Sequence, residues 1–336
     1  MQHIIQELHL NDNDIAYVAY TGRASLILKS KGCPGATTAH KLLYHTKELP
    51  DGTFIHTPKD MPDKPLKLVV VDEISMLEKE QWDILMRWRV PVIALGDPFQ
   101  LPPINEANGV LDHPHVFLDE IVRQATDSSI IRLSMDVREG KFISFFKDND
   151  ARVVPKDTIS DRLLLGADMV LCGKNVTRHF LNARMRKAIW KEQFTQAPIE
   201  GDKCICLRNY WNYGDLTNGT IGTIKNINLN RDGILQPQMN ADFVVDGCGS
   251  FEQLNMDHKL FMEGKETVNK DNWMLFPKEI RPMTFDYANA ITVHKSQGGE
   301  YGKVVVFNEY MGDEEFWRRW LYTAVTRASE KLVVAM

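Results

Sequence analysis

Three short apolar runs, residues 15–20, 66–71 and 90–95, each break off into polar or glycine-rich residues: Thr21-Gly22-Arg23, Asp72-Glu73 and Gly96-Asp97. Runs this short, without polar alternation, predict strands covered on both faces. That is the habit of parallel sheets, whose chemistry sits in loops at the strands' carboxyl ends. A second set recurs at residues 169–172, 304–307 and 331–335. The pattern predicts an α/β fold of two parallel-sheet domains with a cleft between them, one over residues 1–112 and one over 113–200 and 263–336. Two segments interrupt it. Residues 44–65 are proline-rich and hold the turn Pro50-Asp51-Gly52 beside Phe54 and Ile55, which predicts a β-hairpin projecting from the first domain. Residues 201–262 string Cys204-Ile205-Cys206-Leu207, Gly219-Thr220-Ile221-Gly222-Thr223-Ile224 and Phe243-Val244-Val245 between Asn, Gly and Asp turns. They predict a small β-barrel inserted in the second domain. At the start, Ile4, Ile5, Leu8 and Leu10 fall near one face of an amphipathic helix.

Composition narrows the class without choosing a function. With 336 residues, 43% hydrophobic and 25% charged, the chain has the make-up of an ordinary globular protein. No apolar run approaches the roughly 18 residues of a membrane span, and no secretion signal is recognisable, so the cytosol is expected. Five cysteines without CxxC spacing predict reduced, buried thiols rather than a zinc site. A net charge of −5 does not by itself suggest DNA, although affinity follows local phosphate contacts and not the sum.

Chemistry enters with the residues that end the strands. Val69-Val70-Val71-Asp72-Glu73 places an aspartate where it can hold a hard cation through its water shell, and a glutamate where it can take a proton from an attacking water. Asp72 and Glu73 would serve equally as solvated acids at a strand end. Gly96-Asp97-Pro98-Phe99-Gln100-Leu101-Pro102-Pro103 presents Gln100 on a stiff loop, able to bond a terminal phosphate or a water. Ile291-Thr292-Val293-His294-Lys295-Ser296-Gln297-Gly298-Gly299-Glu300 combines small hydroxyls, cations and glycines that suit close approach to phosphates. Tyr322-Thr323-Ala324-Val325-Thr326-Arg327-Ala328 carries an arginine of the kind that stabilises a transferring phosphoryl group.

In this order the segments resemble superfamily 1 DNA helicases, in particular the 5′→3′ branch of RecD and Dda, essentially from end to end. Ala19 to Ala24 with Thr37 to Leu43 looks like motif Ia and its partner, Asp72-Glu73 like motif II, and Gly96 to Pro103 like motif III. Ile121-Val122-Arg123-Gln124 followed by Ser129-Ile130-Ile131-Arg132-Leu133 looks like motif IV, Thr292 to Glu300 like motif V, and Tyr322 to Ala328 like motif VI. The resemblance implies two RecA-like domains with ATP and Mg2+ between them. Asp72 would be the metal ligand, Glu73 the base, Gln100 the γ-phosphate sensor, and Arg123 and Arg327 the charge stabilisers, with Gly298 and Glu300 beside the nucleotide. Thr21, His40, Thr292, His294 and Lys295 would hold DNA. The partners implied are single-stranded DNA and duplex junctions, in a bacterial or phage replication or recombination setting, with the 44–65 hairpin as the strand-separating pin.

One family motif has no counterpart. Gly140-Lys141, Gly173-Lys174, Gly264-Lys265 and Gly302-Lys303 all lack the remainder of Gly-x-x-x-x-Gly-Lys-Ser/Thr. That expectation leaves several readings open: a shortened motor, one half of a split helicase completed by a polypeptide that supplies the loop, or a non-catalytic DNA-binding or assembly subunit. A chain without that loop is expected to turn over little ATP alone.

Overall fold

The computed structural model describes residues 7, 9–49, 53–103, 105–118, 128–213, 216–230, 238–246, 249–269, 272, 276–277 and 280–336. The expected N-terminal helix, the hairpin tip 50–52, Cys248 and the motif IV segment with Arg123 lie outside the described residues. The chain divides into two compact units, residues 1–120 and 121–336.

The first unit is built on β1 (Ile15–Ala19), α1 (Gly22–Ser30), β2 (Thr37–Thr38), α2 (Ala39–Leu43), β3 (Tyr44–Glu48), β4 (Phe54–Pro58), β5 (Leu68–Val71), α3 (Lys79–Arg87) and β6 (Val92–Ala94). Its sheet runs β2-β1-β5-β6, all parallel, with Ile15 opposite Leu68 and Val71 opposite Ala94. Alternate residues feed two cores. Ala16, Val18, Val69 and Val71 pack on Leu43, Ile84, Leu85 and Trp88, while Ile15, Tyr17, Leu68 and Val70 pack with Cys33 and Ala36. Covering both faces explains why these runs are apolar at every position. β6 differs: among the described residues it ends the sheet, and its residues are half-buried where β1 and β5 are buried throughout. The hairpin forms as β3 against β4, Tyr44 opposite Pro58 and Glu48 opposite Phe54, and so stops short of residue 65.

The second unit comprises α4 (Ser129–Arg138), β7 (Phe146–Lys147), β8 (Ala151–Val154), α5 (Asp161–Leu165), β9 (Met169–Cys172), α6 (Asn175–Trp190), β10 (Lys203–Cys206), β11 (Ile221–Asn230), β12 (Gln238–Val245), β13 (Gly249–Met256), α7 (His258–Glu263), β14 (Phe285–Tyr287), β15 (Ala290–Thr292), α8 (Val293–Ser296), β16 (Tyr301–Phe307), α9 (Glu314–Val325) and β17 (Ala328–Ala335). Six strands run β15-β9-β16-β17-β8-β7, parallel except for β7. A five-stranded antiparallel sheet, β13-β12-β11-β10-β14, stands beside them in the chain. Its inner face buries Cys204, Cys206, Ile224, Phe243, Leu254 and Phe285. A bridge between Met256 and Met283 brings the end of β13 toward the approach to β14, curling the sheet. The fifth strand, β14, comes from beyond residues 201–262. Its central residue is the buried Asp286, which breaks the apolar pattern that marks the other strands.

Candidate functional site

Asp72 and Glu73 follow β5 directly. The Asp72 amide donates to the Val18 carbonyl at 2.8 Å, extending the ladder to the point where the chain turns. Burial raises the Asp72 carboxyl above the usual aspartate range, with the Glu73 amide and Lys31 opposing the shift. A desolvated carboxylate of this kind gains most from a cation. Glu73 adopts a left-handed conformation, φ 53° and ψ 49°, uncommon for a residue with a Cβ and a sign of local strain. The turn Ile74–Met76 is then locked against the end of β6. The Ile74 amide donates to the Leu95 carbonyl at 2.9 Å, and a Cβ on Gly96 would lie 2.7 Å from Ile74 Cγ2. Only glycine allows these two loops to approach so closely. Asn108 completes the clamp, its Nδ2 donating to the carbonyls of Ile74 and Leu77 at 2.9 and 2.5 Å.

The loop after Gly96 is shaped by Asp97, whose Oδ1 accepts from the Phe99 amide at 2.9 Å and whose carbonyl accepts from the Gln100 amide. Gln100 is only 8% exposed, and its Oε1 is buried without a hydrogen-bond partner; the Ser75 hydroxyl oxygen is in the same condition. A buried polar atom left unsatisfied costs about 1–3 kcal/mol. Both atoms lie on the loops that follow β5 and β6, where they keep unused capacity for a polar ligand.

The DNA candidates of the first unit are placed less simply. Thr21 caps α1, its Oγ1 accepting from the Ala24 amide at 3.1 Å. His40 stacks on Tyr44 with ring centroids 4.6 Å apart and meets the edge of His56 at 4.2 Å. Burial, then His56, push its pKa down to about 4, so its ring is neutral near pH 7 and offers no cation to a phosphate.

In the second unit Thr292 ends β15 and α8 carries His294 and Lys295, both half-buried. His294 stacks on Phe316 at 6.2 Å, and burial lowers its pKa. Burial also lowers that of Lys295, with Arg178 acting in the same direction and Asp286 and Cys206 against. Gly298 takes φ 71°, Gly299 is buried, and Glu300 is exposed. Arg327 is buried: its Nη1 donates to the Gly299 carbonyl at 3.1 Å and its Nε to the Thr323 carbonyl at 3.1 Å. Motifs V and VI are therefore joined within one unit.

Sequence reasoning missed three participants. Ser75 and Asn108 carried no pattern signal, since one hydroxyl and one amide in loops are unremarkable until burial is known. Arg178 forms a buried ion pair with Asp286 at 2.6 Å beside Lys295, and the two partners lie too far apart in sequence for spacing to reveal them. Among the described residues no cluster of three or more His, Cys, Asp or Glu side chains could hold a metal. Among the described residues no helix is long and apolar enough to cross a membrane.

A family model described as an AAA domain matches residues 1–153, and the UvrD-like helicase C-terminal domain matches residues 287–335. The chain is 25% identical over 349 residues to the ATP-dependent RecD2 DNA helicase of Deinococcus radiodurans, an alignment covering 96% of this chain but 43% of that relative. It thus spans less than half the length of that curated relative. Among solved structures, Pif1 helicase from Candida albicans superposes with a TM-score of 0.52 at 18% identity, covering 99% of this chain and 93% of that one. Bacteroides Pif1 bound to ssDNA gives 0.53 at 15% identity, covering 100% and 91%. The chain is thus similar to AAA domains over residues 1–153 and to UvrD-like helicase C-terminal domains over residues 287–335, and it shares the fold of the Pif1 structures.

Proposed function

We propose that the chain is the greater part of an ATP-dependent motor that moves along single-stranded DNA, in the 5′→3′ direction, and opens duplex junctions. The observation that carries this reading is the locked pair of loops in the first unit: Asp72 and Glu73 on one, the unsatisfied Gln100 Oε1 on the other. These groups fit a magnesium nucleotide. Asp72 would hold the cation, which when bound neutralises charge on the terminal phosphates. Glu73 takes the proton of the attacking water, and Gln100 Oε1 accepts a hydrogen bond from that water and so orients it. Arg327, with Arg123, stabilises charge on the transferring phosphoryl oxygens, and Gly298 and Glu300 lie beside the nucleotide. Thr21, Thr292, His294 and Lys295 hold the DNA backbone without reading bases, and His40 supports them by packing. The hairpin of β3 and β4 acts as the pin at the junction.

The names of the relatives support this reading: RecD2 is an ATP-dependent DNA helicase, and the Bacteroides Pif1 structure holds single-stranded DNA. The free, buried thiols of Cys33, Cys172, Cys204 and Cys206 suit a reducing cytosol. The 336 residues carry no Gly-x-x-x-x-Gly-Lys-Ser/Thr, so full turnover calls for a phosphate-binding loop from outside them, in the same polypeptide or a partner. The test is Glu73→Gln in a chain completed with that loop. DNA-stimulated ATP hydrolysis should fall by about 10²–10⁴-fold while nucleotide affinity holds, because volume and the Asp72 site are kept. Normal hydrolysis by Glu73→Gln would remove the role given to this loop.

A further inference from the structure

Arg327 owes its assignment to the phosphoryl group, yet in this structure its guanidinium is engaged inside its own unit. The side chain is 6% exposed, with Nη1 on the Gly299 carbonyl, Nε on the Thr323 carbonyl and Nη2 on Thr326 Oγ1 at 3.3 Å. Its carbonyl accepts from the Tyr301 amide at 2.9 Å. The parallel pairing of β16 with β17 begins only at Tyr301 opposite Ala328, so the residues before it lie beyond the ladder. There the guanidinium takes the place of a strand partner. Gly299 is gripped from both sides, because its amide donates to the Ser296 carbonyl at 3.0 Å while its carbonyl receives Arg327. Ser296 is the last residue of α8, the turn that carries His294 and Lys295.

We propose that Arg327 is a positioning residue for the DNA-holding turn: by fixing the Gly299 carbonyl it sets the place of α8 and, through it, of Lys295 and His294. The inference rests on the reading of this chain as a DNA motor. A hydrogen bond from a charged donor in a buried site is stronger than a neutral one, and only the arginine fork reaches three acceptors in different directions. A phosphoryl oxygen that attracted this guanidinium would compete with Gly299 for it. Nucleotide state and DNA grip then share one side chain, and each must bias the other.

The test uses the 336-residue chain without nucleotide, oligothymidylate as the probe, and anisotropy across a salt series. Arg327→Lys keeps the charge and loses the fork. It should weaken binding by about fivefold or more, the lower range of such couplings, with an unchanged slope of log affinity against log salt. Lys295→Ala, a direct phosphate contact, should instead lower that slope by roughly one unit. Amide exchange at Gly299 should quicken in Arg327→Lys while the melting transition is retained. If Arg327→Lys does not fold, Thr326→Val, which removes the Nη2 acceptor together with that hydroxyl's own bonds to the Tyr322 and Thr323 carbonyls, should show the same changes at smaller size. Wild-type affinity and exchange in the folded variant would overturn the inference, as would a slope lowered by one, which would make Arg327 itself the phosphate contact. A wild-type chain that fails to bind oligothymidylate would overturn the functional reading. The exchange rate at Gly299 would then decide separately whether Arg327 holds the loop.

Discussion

The strand ends of the first unit and the Arg186–Asp202 pair of the second treat buried polar groups in opposite ways. In the first unit, Gln100 Oε1 and Ser75 Oγ are buried without partners, Asp72 is desolvated, and Glu73 is held in a left-handed conformation. In the second, Arg186 is 2% exposed and fully met. Its Nε and Nη2 donate to Asp202 at 2.9 and 2.8 Å, Nη1 and Nη2 reach the carbonyls of Thr195 and Ala197, and the guanidinium lies 3.9 Å from the Tyr287 ring centroid. Trp190 Nε1 and the Ile199 amide complete Asp202. The difference separates two uses of burial. Groups left unsatisfied retain their capacity to bind something that is not protein, whereas groups satisfied on every side fix α6 to the antiparallel sheet and have no binding capacity to spare.

Arg186→Ala should break the satisfied side of this contrast with the largest effect. Removing one partner of a buried ion pair leaves an uncompensated charge and costs about 3–5 kcal/mol, so the denaturation midpoint of the second unit should fall steeply. A loss under about 1 kcal/mol, the scale of an exposed pair, would show that Asp202 is rehydrated and the pair is not closed.

A smaller effect is expected from pH at His40. Its folded pKa of about 4 lies below the ordinary 6.5, so the unfolded chain binds more protons between those values. Stability gained from the neutral ring is therefore complete above about 6.5 and is lost as pH falls toward 4. Replacing His40 by Gln should flatten the melting temperature across that window in a thermal scan. An unchanged pH profile would show that the ring is solvated and not packed between Tyr44 and His56.

The smallest effect, and the most telling in sign, is expected of Ser75→Ala. Deleting a hydroxyl that has no partner should leave the unliganded protein as stable or slightly more so, by at most about 1 kcal/mol, since only a desolvation cost is removed. A clear drop in melting temperature would place Ser75 among the satisfied groups and erase the contrast at that position.

The parts of this molecule that could be read from sequence were those where one physical requirement dominates. β1, β5 and β9 are apolar at every position, and β16 and β17 over their last four residues, because both sheet faces are covered there, and the polar breaks after β1, β5 and β9 mark where the chain leaves the core. Asp72 and Gln100 could be singled out because they follow the ends of β5 and β6, and Arg327 because it closes a helix just ahead of β17. Elements whose residues answer to two requirements were hidden. β14 pairs as a strand but carries Asp286 to meet Arg178, so its polarity reads as loop. His40 has the composition of a DNA contact and the surroundings of a packed ring. No spacing rule distinguishes Arg327 pointing toward a phosphate from Arg327 closed on Gly299, because the difference lies in which acceptor is nearer.

The half-buried edge at β6 has a consequence for handling the protein. Among the described residues Val92, Ile93 and Ala94 have no strand partner beyond β5 and carry neither lysine nor bulge to discourage a newcomer, and Leu95 beyond them is 38% exposed. Such a border is a template for strand addition, and identical molecules at high concentration supply one another with strands. Loss of material to precipitation should therefore scale with concentration and be relieved by a single lysine at the exposed Leu95, since Ile93 packs on the core of Ile15, Tyr17, Leu68 and Val70. It is colloidal behaviour set by three residues, independent of how well the rest of the chain is folded.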